Sequence, residues 1–237
     1  MSGYHTPTKV RLLGGGASSL KHQVARFDIE DELLPTGTWV AEFEGHLMRA
    51  LSGVNVVAIS DYGYGTVRPA TVTTVRRIVG TDAWICIDSR YGLPEFVGVS
   101  GATPNLQELE SCAERNLESD DDVAEAAESL RQKLAARFLL ATRGNRGMTL
   151  VDQNSPPLHI GVYGSDEVAD VTGAGDTVLA VLCAALAAGA TPQEAARLAN
   201  YAGGLVVMKL GTATISRDEL RAAVRSAPGS SAAASAI

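Results

Sequence analysis

The residues with the clearest capacity for chemistry are Asp170-Val-Thr-Gly-Ala-Gly-Asp176, set between a polar segment and a long Ala/Leu-rich stretch. Gly173 and Gly175 allow backbone conformations in which successive N–H groups point into one small space, and the helix expected to follow adds the partial positive charge of its N-terminus. That combination makes a cradle for an anion. Asp176 falls in the first helical turn, where a carboxylate can take the proton of a substrate hydroxyl while the amides hold charge developing on a transferred phosphoryl group. The spacing alone leaves a second reading equally open: a Gly-rich strand-to-helix turn whose Asp only complements the helix dipole.

The elements that position this stretch follow from periodicity. VNVVAIS (54–60), WICID (84–88), FLLAT (138–142) and MTLVD (148–152) read as short apolar strands, and between them 69–79 and 121–137 carry the helical period. Ser119 with Asp120, Asp121 and Asp122 suits a helix start, Thr191-Pro192 with Glu194 forms a capping box with proline at the first helical position, and Ser216 with Glu219 repeats the pattern. A further helix runs over 175–189. This grammar predicts an α/β fold with a mostly parallel sheet flanked by helices. The first 45 residues differ: KVRLL (9–13) and QVARFDI (23–29) alternate charged and apolar residues around a turn at 14–19, which predicts a small β-hairpin. Lys9 and Arg11 share one strand face; a solvated face is the plain reading and an anion contact the alternative. The expected organisation is a hairpin segment over 1–45, an α/β core over 46–226 and a disordered Ala/Ser tail over 227–237.

Composition bounds the function classes. The chain has 237 residues, 46% apolar and 20% charged, with 5% aromatic, so one large core built from Ala, Val and Leu is expected. Mean hydropathy is +0.07. The sequence contains no uncharged apolar run of membrane-spanning length, and its start lacks the apolar stretch of a secretory signal, which predicts a cytoplasmic protein without membrane contact. A net charge of −7 argues against nucleic acid, although residues 1–27 hold Lys9, Arg11, Lys21 and Arg26 and no acid. Cys86, Cys112 and Cys183 are far apart without a CxxC pair, so reduced thiols are expected and neither disulfides nor zinc.

DVTGAGD resembles the signature of the PfkB (ribokinase-like) carbohydrate kinases. TPNLQELE (103–110) is similar to the family's Asn-x-x-Glu segment at Asn105 and Glu108, and ATRGNRGMTLVD (141–152) to its Thr-x-Gly-x-x-Gly turn at Thr142, Gly144 and Gly147. ANYAGGLVVMKLGTATIS (199–216) resembles the segment that closes over adenine. SDYGYG (60–65), IDSRYG (87–92), RGMTL and KLGT (209–212) point, within the family, to heptose 7-phosphate kinases, and the hairpin resembles their lid strands. The likeness runs over roughly residues 7–225.

The resemblance implies a ribokinase-like fold with a hairpin lid, and ATP-dependent transfer to a hydroxyl of a heptose phosphate or related sugar. Asp176 would be the base, with the amides of Ala174, Gly175 and Asp176 as the anion hole and Gly173 permitting the turn. Asn105 and Glu108 would organise Mg²⁺ through its waters. Thr142, Gly144 and Gly147 would approach the nucleotide, Asn200, Gly204 and Lys209 the adenine and ribose, and Asp170 and Thr172 match a site for a monovalent cation such as K⁺. Lys9, Arg11, Asp61 and Arg90 would face the sugar. Two positions depart from the heptose kinases: Tyr64 stands where they carry Lys, and Ser89-Arg90 where they carry Pro-Lys, so a cation is lost at one place and kept as Arg at the other. The family's N-terminal third, with half of the sugar pocket, has no counterpart in these residues. An unpaired sheet edge is therefore expected, covered by a homodimer or by a separate chain supplying the N-terminal half. The competing function is a catalytically impaired nucleotide-binding subunit that needs such a partner for its sugar site.

Overall fold

In the computed structural model, which describes residues 4–15, 22–164 and 170–226, the chain opens with β1 (Thr8–Gly14) and β2 (His22–Ile29), paired antiparallel as expected. Residues 16–19 of the expected turn, and the tail 227–237, lie outside the described residues. The period of two divides the hairpin: Lys9, Arg11, Arg26 and Asp28 share one face, and Val10, Leu12 and Phe27 the other. The apolar face is open, with Val10 44% and Phe27 60% exposed.

Helix α1 (Trp39–Ala50) follows, an element the sequence reading did not assign. Its apolar stripe, Trp39, Phe43 and Leu47, has the i, i+4, i+8 spacing of a helix face. The expected boundary between residues 45 and 46 falls inside it.

The main sheet is built from β3 (Val56–Asp61), β4 (Trp84–Ser89), β5 (Gly101–Ala102), β6 (Phe138–Thr142), β7 (Met148–Asp152) and β8 (Leu158–Ile160), in that spatial order. The pairs from β3 to β6 are parallel and the last two antiparallel. Between β3 and β4 runs α2 (Pro69–Val79); between β5 and β6 run α3 (Leu106–Ala113) and α4 (Asp120–Lys133). After the sheet come α5 (Ala174–Ala187), α6 (Pro192–Val207) and α7 (Arg217–Ser226). Their starts obey the predicted chemistry: Ser119 Oγ accepts the Asp122 N–H at 3.0 Å, and Thr191 Oγ1 that of Glu194 at 3.3 Å.

Alternation within the buried strands sorts side chains to two cores. Ile85, Ile87 and Leu139 join Val75, Leu109, Val123 and Leu130 on one face, while Cys86, Phe138 and Leu140 join Val178, Leu182 and Ala196 on the other. The core is Ala, Val and Leu for the most part, as the low aromatic content predicts. Gly101 is required here, because a β-carbon on it would stand 2.2 Å from the Phe138 ring. Among the described residues no strand pairs with the outer edge of β3, and no helix is long and apolar enough to cross a membrane. All three cysteines are free thiols.

Candidate active site

Parallel strands of an open α/β sheet end in a row, and loops leaving their C-terminal ends are where ligands bind. Here that row carries Ser60 and Asp61 at the end of β3, Asp88 at the end of β4 and Asn105 after β5. Helix α5 packs across β3 and β4 and brings its own N-terminus to the same place.

Gly173 turns the chain into α5 with φ +80°, a left-handed conformation that strains any residue with a side chain. The Ala174 N–H donates to Val171 C=O at 3.2 Å, so the amide expected in the anion hole is engaged within the turn. Gly175 and Asp176 lie in the first turn of α5, where N–H groups have no intrahelical acceptor.

Asp176 is gripped from β3. Its Oδ1 accepts the Ser60 hydroxyl at 3.0 Å and its Oδ2 the Tyr62 hydroxyl at 2.7 Å. Burial first, and then the bond to Asp176, push the Tyr62 phenol up to about 12. Asp88 lies beside Gly175, its Oδ2 3.3 Å from where a β-carbon on that glycine would sit. Burial pushes the Asp88 carboxyl up to about 7, with the charges of Glu108 and Asp176 adding to the effect and Arg90 opposing it. Glu108 is also raised, again by burial first. The site thus gathers the carboxyl groups of Asp88, Glu108 and Asp176, with the Arg90 guanidinium favouring the ionised forms of the first two. The sequence alone does not single out Ser60, Tyr62 and Asp88; they lie at or just beyond strand ends, and the topology brings Ser60 and Tyr62 to Asp176 across more than a hundred residues.

Asn105 and Glu108 form a reciprocal cap at the start of α3: Asn105 Oδ1 accepts the Glu108 N–H at 2.9 Å and Glu108 Oε2 the Asn105 N–H at 2.9 Å. Among the described residues no three acid, His or Cys side chains stand close enough to ligate a metal together. A divalent cation that keeps most of its waters fits such a set, with Glu108 as a carboxylate beside it.

Asp61 is turned inward. It is 7% exposed, Oδ1 accepts the Gly63 N–H at 3.0 Å and Oδ2 the Ser89 hydroxyl at 2.7 Å, so it anchors the turn after β3. The facing cavity, about 520 Å³, lies between the polar face of the hairpin and the loops after β3 and β4, with Lys9, Arg26, Glu30, Tyr64 and Arg90 among its walls. Tyr64 donates to Glu30, and Lys9 Nζ lies 3.5 Å from Glu30. Arg11, on the same hairpin face, adds a small electrostatic contribution that helps hold the Asp170 carboxyl low, behind the hydrogen bonds from Thr172 and Gly211.

The remaining expected residues form a second group. Thr142 ends β6 and bridges to Asn105. Gly144 and Gly147 both have positive φ and flank a tight turn, and a β-carbon on Gly147 would stand 2.0 Å from Ile160 O. Asn200 Nδ2 donates to Gly161 C=O at 2.8 Å, and Gly204 admits Tyr163 O to 2.0 Å of its would-be β-carbon, so both hold the segment after β8 against α6. Lys209 pairs with Glu219 at 2.7 Å and fastens α7. Asp170 accepts the N–H of Thr172 at 2.8 Å and of Gly211 at 3.2 Å.

Fold and site define a class: a ribokinase-like α/β protein with a glycine-led helix terminus and a carboxylate at its mouth. Residues 86–219 match the pfkB family carbohydrate kinase pattern, and the chain belongs to that family. It is 43% identical over 224 residues to the bifunctional protein HldE of Nitrosococcus oceani, covering 92% of this chain and 44% of that protein. HldE of Stutzerimonas stutzeri is 39% identical, with 95% and 46% covered. The chain thus spans under half the length of these curated relatives. In fold it is similar to phosphofructokinase-2 from Escherichia coli in complex with potassium (TM-score 0.68, 22% identity, 84% of this chain and 65% of that one). It is also similar to Arabidopsis thaliana ribokinase complexed with ribose and ATP (TM-score 0.70, 18% identity, 94% and 70%).

Proposed function

We propose that this chain transfers the γ-phosphoryl group of ATP to a hydroxyl of a heptose phosphate or related sugar. The observation that carries the reading is the Asp176 carboxylate, held by Ser60 and Tyr62 at the start of α5 beside the amides of Gly175 and Asp176. An acceptor hydroxyl bound at that carboxylate gives up its proton to it as the oxygen attacks phosphorus, and charge gathering on the phosphoryl oxygens faces the two amides. Arg90, at the cavity wall, is suited to a phosphate already on the sugar, because a guanidinium grips two oxygens at once. Mg²⁺, bound through water near Asn105 and Glu108, would neutralise the nucleotide phosphates. The paired amide bonds on Asp170 fit an oxygen-lined loop that takes K⁺ together with Thr172.

The open edge of β3 and the apolar hairpin face are the surfaces that a second copy or a complementary chain would cover. Three free thiols suit a reducing compartment such as the cytoplasm. A purely nucleotide-binding role would leave the two-hydroxyl grip on Asp176 without a use. The test is γ-phosphate transfer to a panel of heptose and hexose phosphates, with Asp176→Asn alongside. Turnover that needs Asp176 supports the reading; equal rates in the variant reject it.

A further inference from the structure

The groups that hold Asp176 do not come from its own helix. Ser60 and Tyr62 reach it from β3 and the turn beyond, one hydroxyl to each carboxylate oxygen. A single donor fixes one oxygen and leaves the carboxylate free to swing about it; donors to both oxygens fix its plane. Tyr62 is itself well held. Its turn is tied inward by the bonds of Asp61 to Gly63 and Ser89, and outward by Leu33 N–H to Tyr64 C=O at 2.9 Å and by the Tyr64 hydroxyl to Glu30. Gly65 makes the outward tie possible, since a β-carbon there would stand 2.2 Å from Leu33 O. Tyr62 is 40% exposed, so what fixes its hydroxyl on Asp176 is the anchoring of its turn and not enclosure in the core.

We infer that Tyr62 is a positioning residue: its hydroxyl sets the plane of the Asp176 carboxylate toward the acceptor hydroxyl, and the turn at 61–65 makes that setting depend on the hairpin through Tyr64 and Glu30. This rests on Asp176 being the base. The phenol, with its ionisation pushed up to about 12, remains a donor throughout the working range. It therefore offers the carboxylate a hydrogen bond and never a competing charge.

The experiment compares Tyr62→Phe, Tyr64→Phe and Asp176→Asn with the wild-type chain. Turnover is assayed with ATP, Mg²⁺ and a heptose phosphate, and the tyrosines are titrated by ultraviolet difference spectroscopy. Tyr62→Phe should lower kcat by about tenfold or more, the scale of a hydrogen bond to a charged group. KM for ATP and for the sugar should stay within about twofold, with circular dichroism unchanged. Tyr64→Phe should lower kcat in the same direction by less. The titration step lost in Tyr62→Phe identifies Tyr62, and in Asp176→Asn that step should fall toward the ordinary tyrosine value. A Tyr62→Phe enzyme with wild-type kcat, or one whose only change is a raised sugar KM, overturns the inference while leaving the base in place. If Asp176→Asn turns over like wild type, the base reading fails instead. If no acceptor is turned over, the titration decides: an unchanged Tyr62 step in Asp176→Asn overturns the contact.

Discussion

Asp88 and Gly175 meet face to face: the Asp88 carboxylate occupies the space beside the α5 backbone that a side chain at residue 175 would need, at 3.3 Å. The glycine is therefore chosen for what lies next to it, since its own φ is not among the positive ones. Gly175→Ala should leave stability unchanged or raise it by up to about 1 kcal/mol, because alanine suits a helix better than glycine. Turnover should fall at least tenfold or so as Asp88 is pushed from the anion-facing amides. Thermal melting and steady-state kinetics on one preparation separate the two effects, and a variant with full activity would show that the close approach is not used.

Asp88 gives the protein a dependence on pH in the neutral range. Folded, it keeps its proton up to about 7; unfolded, it loses it near the ordinary 3.8. Between those values the folded state binds more protons, so this carboxyl's contribution to stability is fully present below the lower value and is lost as pH rises through the upper one. Asp88→Asn should gain on wild type in melting temperature steadily from mildly acid pH to neutrality, and the gap should stop growing above it. Binding of Mg²⁺ with nucleotide, which favours the ionised form, should release protons near pH 7 in wild type and release fewer in the variant, as calorimetry in buffers of different ionisation enthalpy would read.

Gly147 is a stability prediction. Its φ of +77° and the 2.0 Å approach of Ile160 O leave no room for a methyl group. Gly147→Ala should cost about 1–3 kcal/mol, or roughly 2–4 °C in Tm for each kcal/mol at this chain length. Affinity for an ATP analogue should fall with it if the turn after β6 contacts nucleotide, and affinity that survives the substitution would remove Gly144 and Gly147 from that role.

Arg90 separates acceptor from donor. It lines the cavity under the hairpin and opposes the negative charge on Asp88 and Glu108. Arg90→Ala should raise KM for a phosphorylated sugar about tenfold or more and move KM for ATP little, with Arg90→Lys intermediate because an ammonium cannot form the paired hydrogen bonds. Parallel rises in both constants would mean that Arg90 serves the charge balance alone.

Much of the scaffold is legible in local sequence. The start of α4 at Ser119, of α6 at Thr191 and the bond of Ser216 N–H to Glu219 at 2.7 Å are written in residues three apart, and the structure uses them as read. Helix α1 is less legible: Trp39, Phe43 and Leu47 stand at helical spacing, but the helix has no side-chain cap at Thr38 to mark its start. The site divides in the same way. Gly173 and Asp176 announce themselves within one short motif, whereas Ser60 and Tyr62 join Asp176 only because α5 packs across β3, a fact of topology that no local pattern encodes. The bond of Asp61 to Ser89, which helps turn its carboxylate inward, is likewise set by the packing of β3 beside β4 and not by local pattern.

The open edge of β3 also has a dynamic side. Ser60 lies near the end of a strand that has a hydrogen-bonded neighbour on one side only among the described residues, so the support for Asp176 rides on an edge of the sheet, where local opening costs less than at its centre. Anything that binds that edge in the folded state draws the opening equilibrium closed by mass action. Amide exchange along Val56–Asp61 would then slow together with that at the start of α5, and assembly would act as an effector of the reacting centre from a strand's width away.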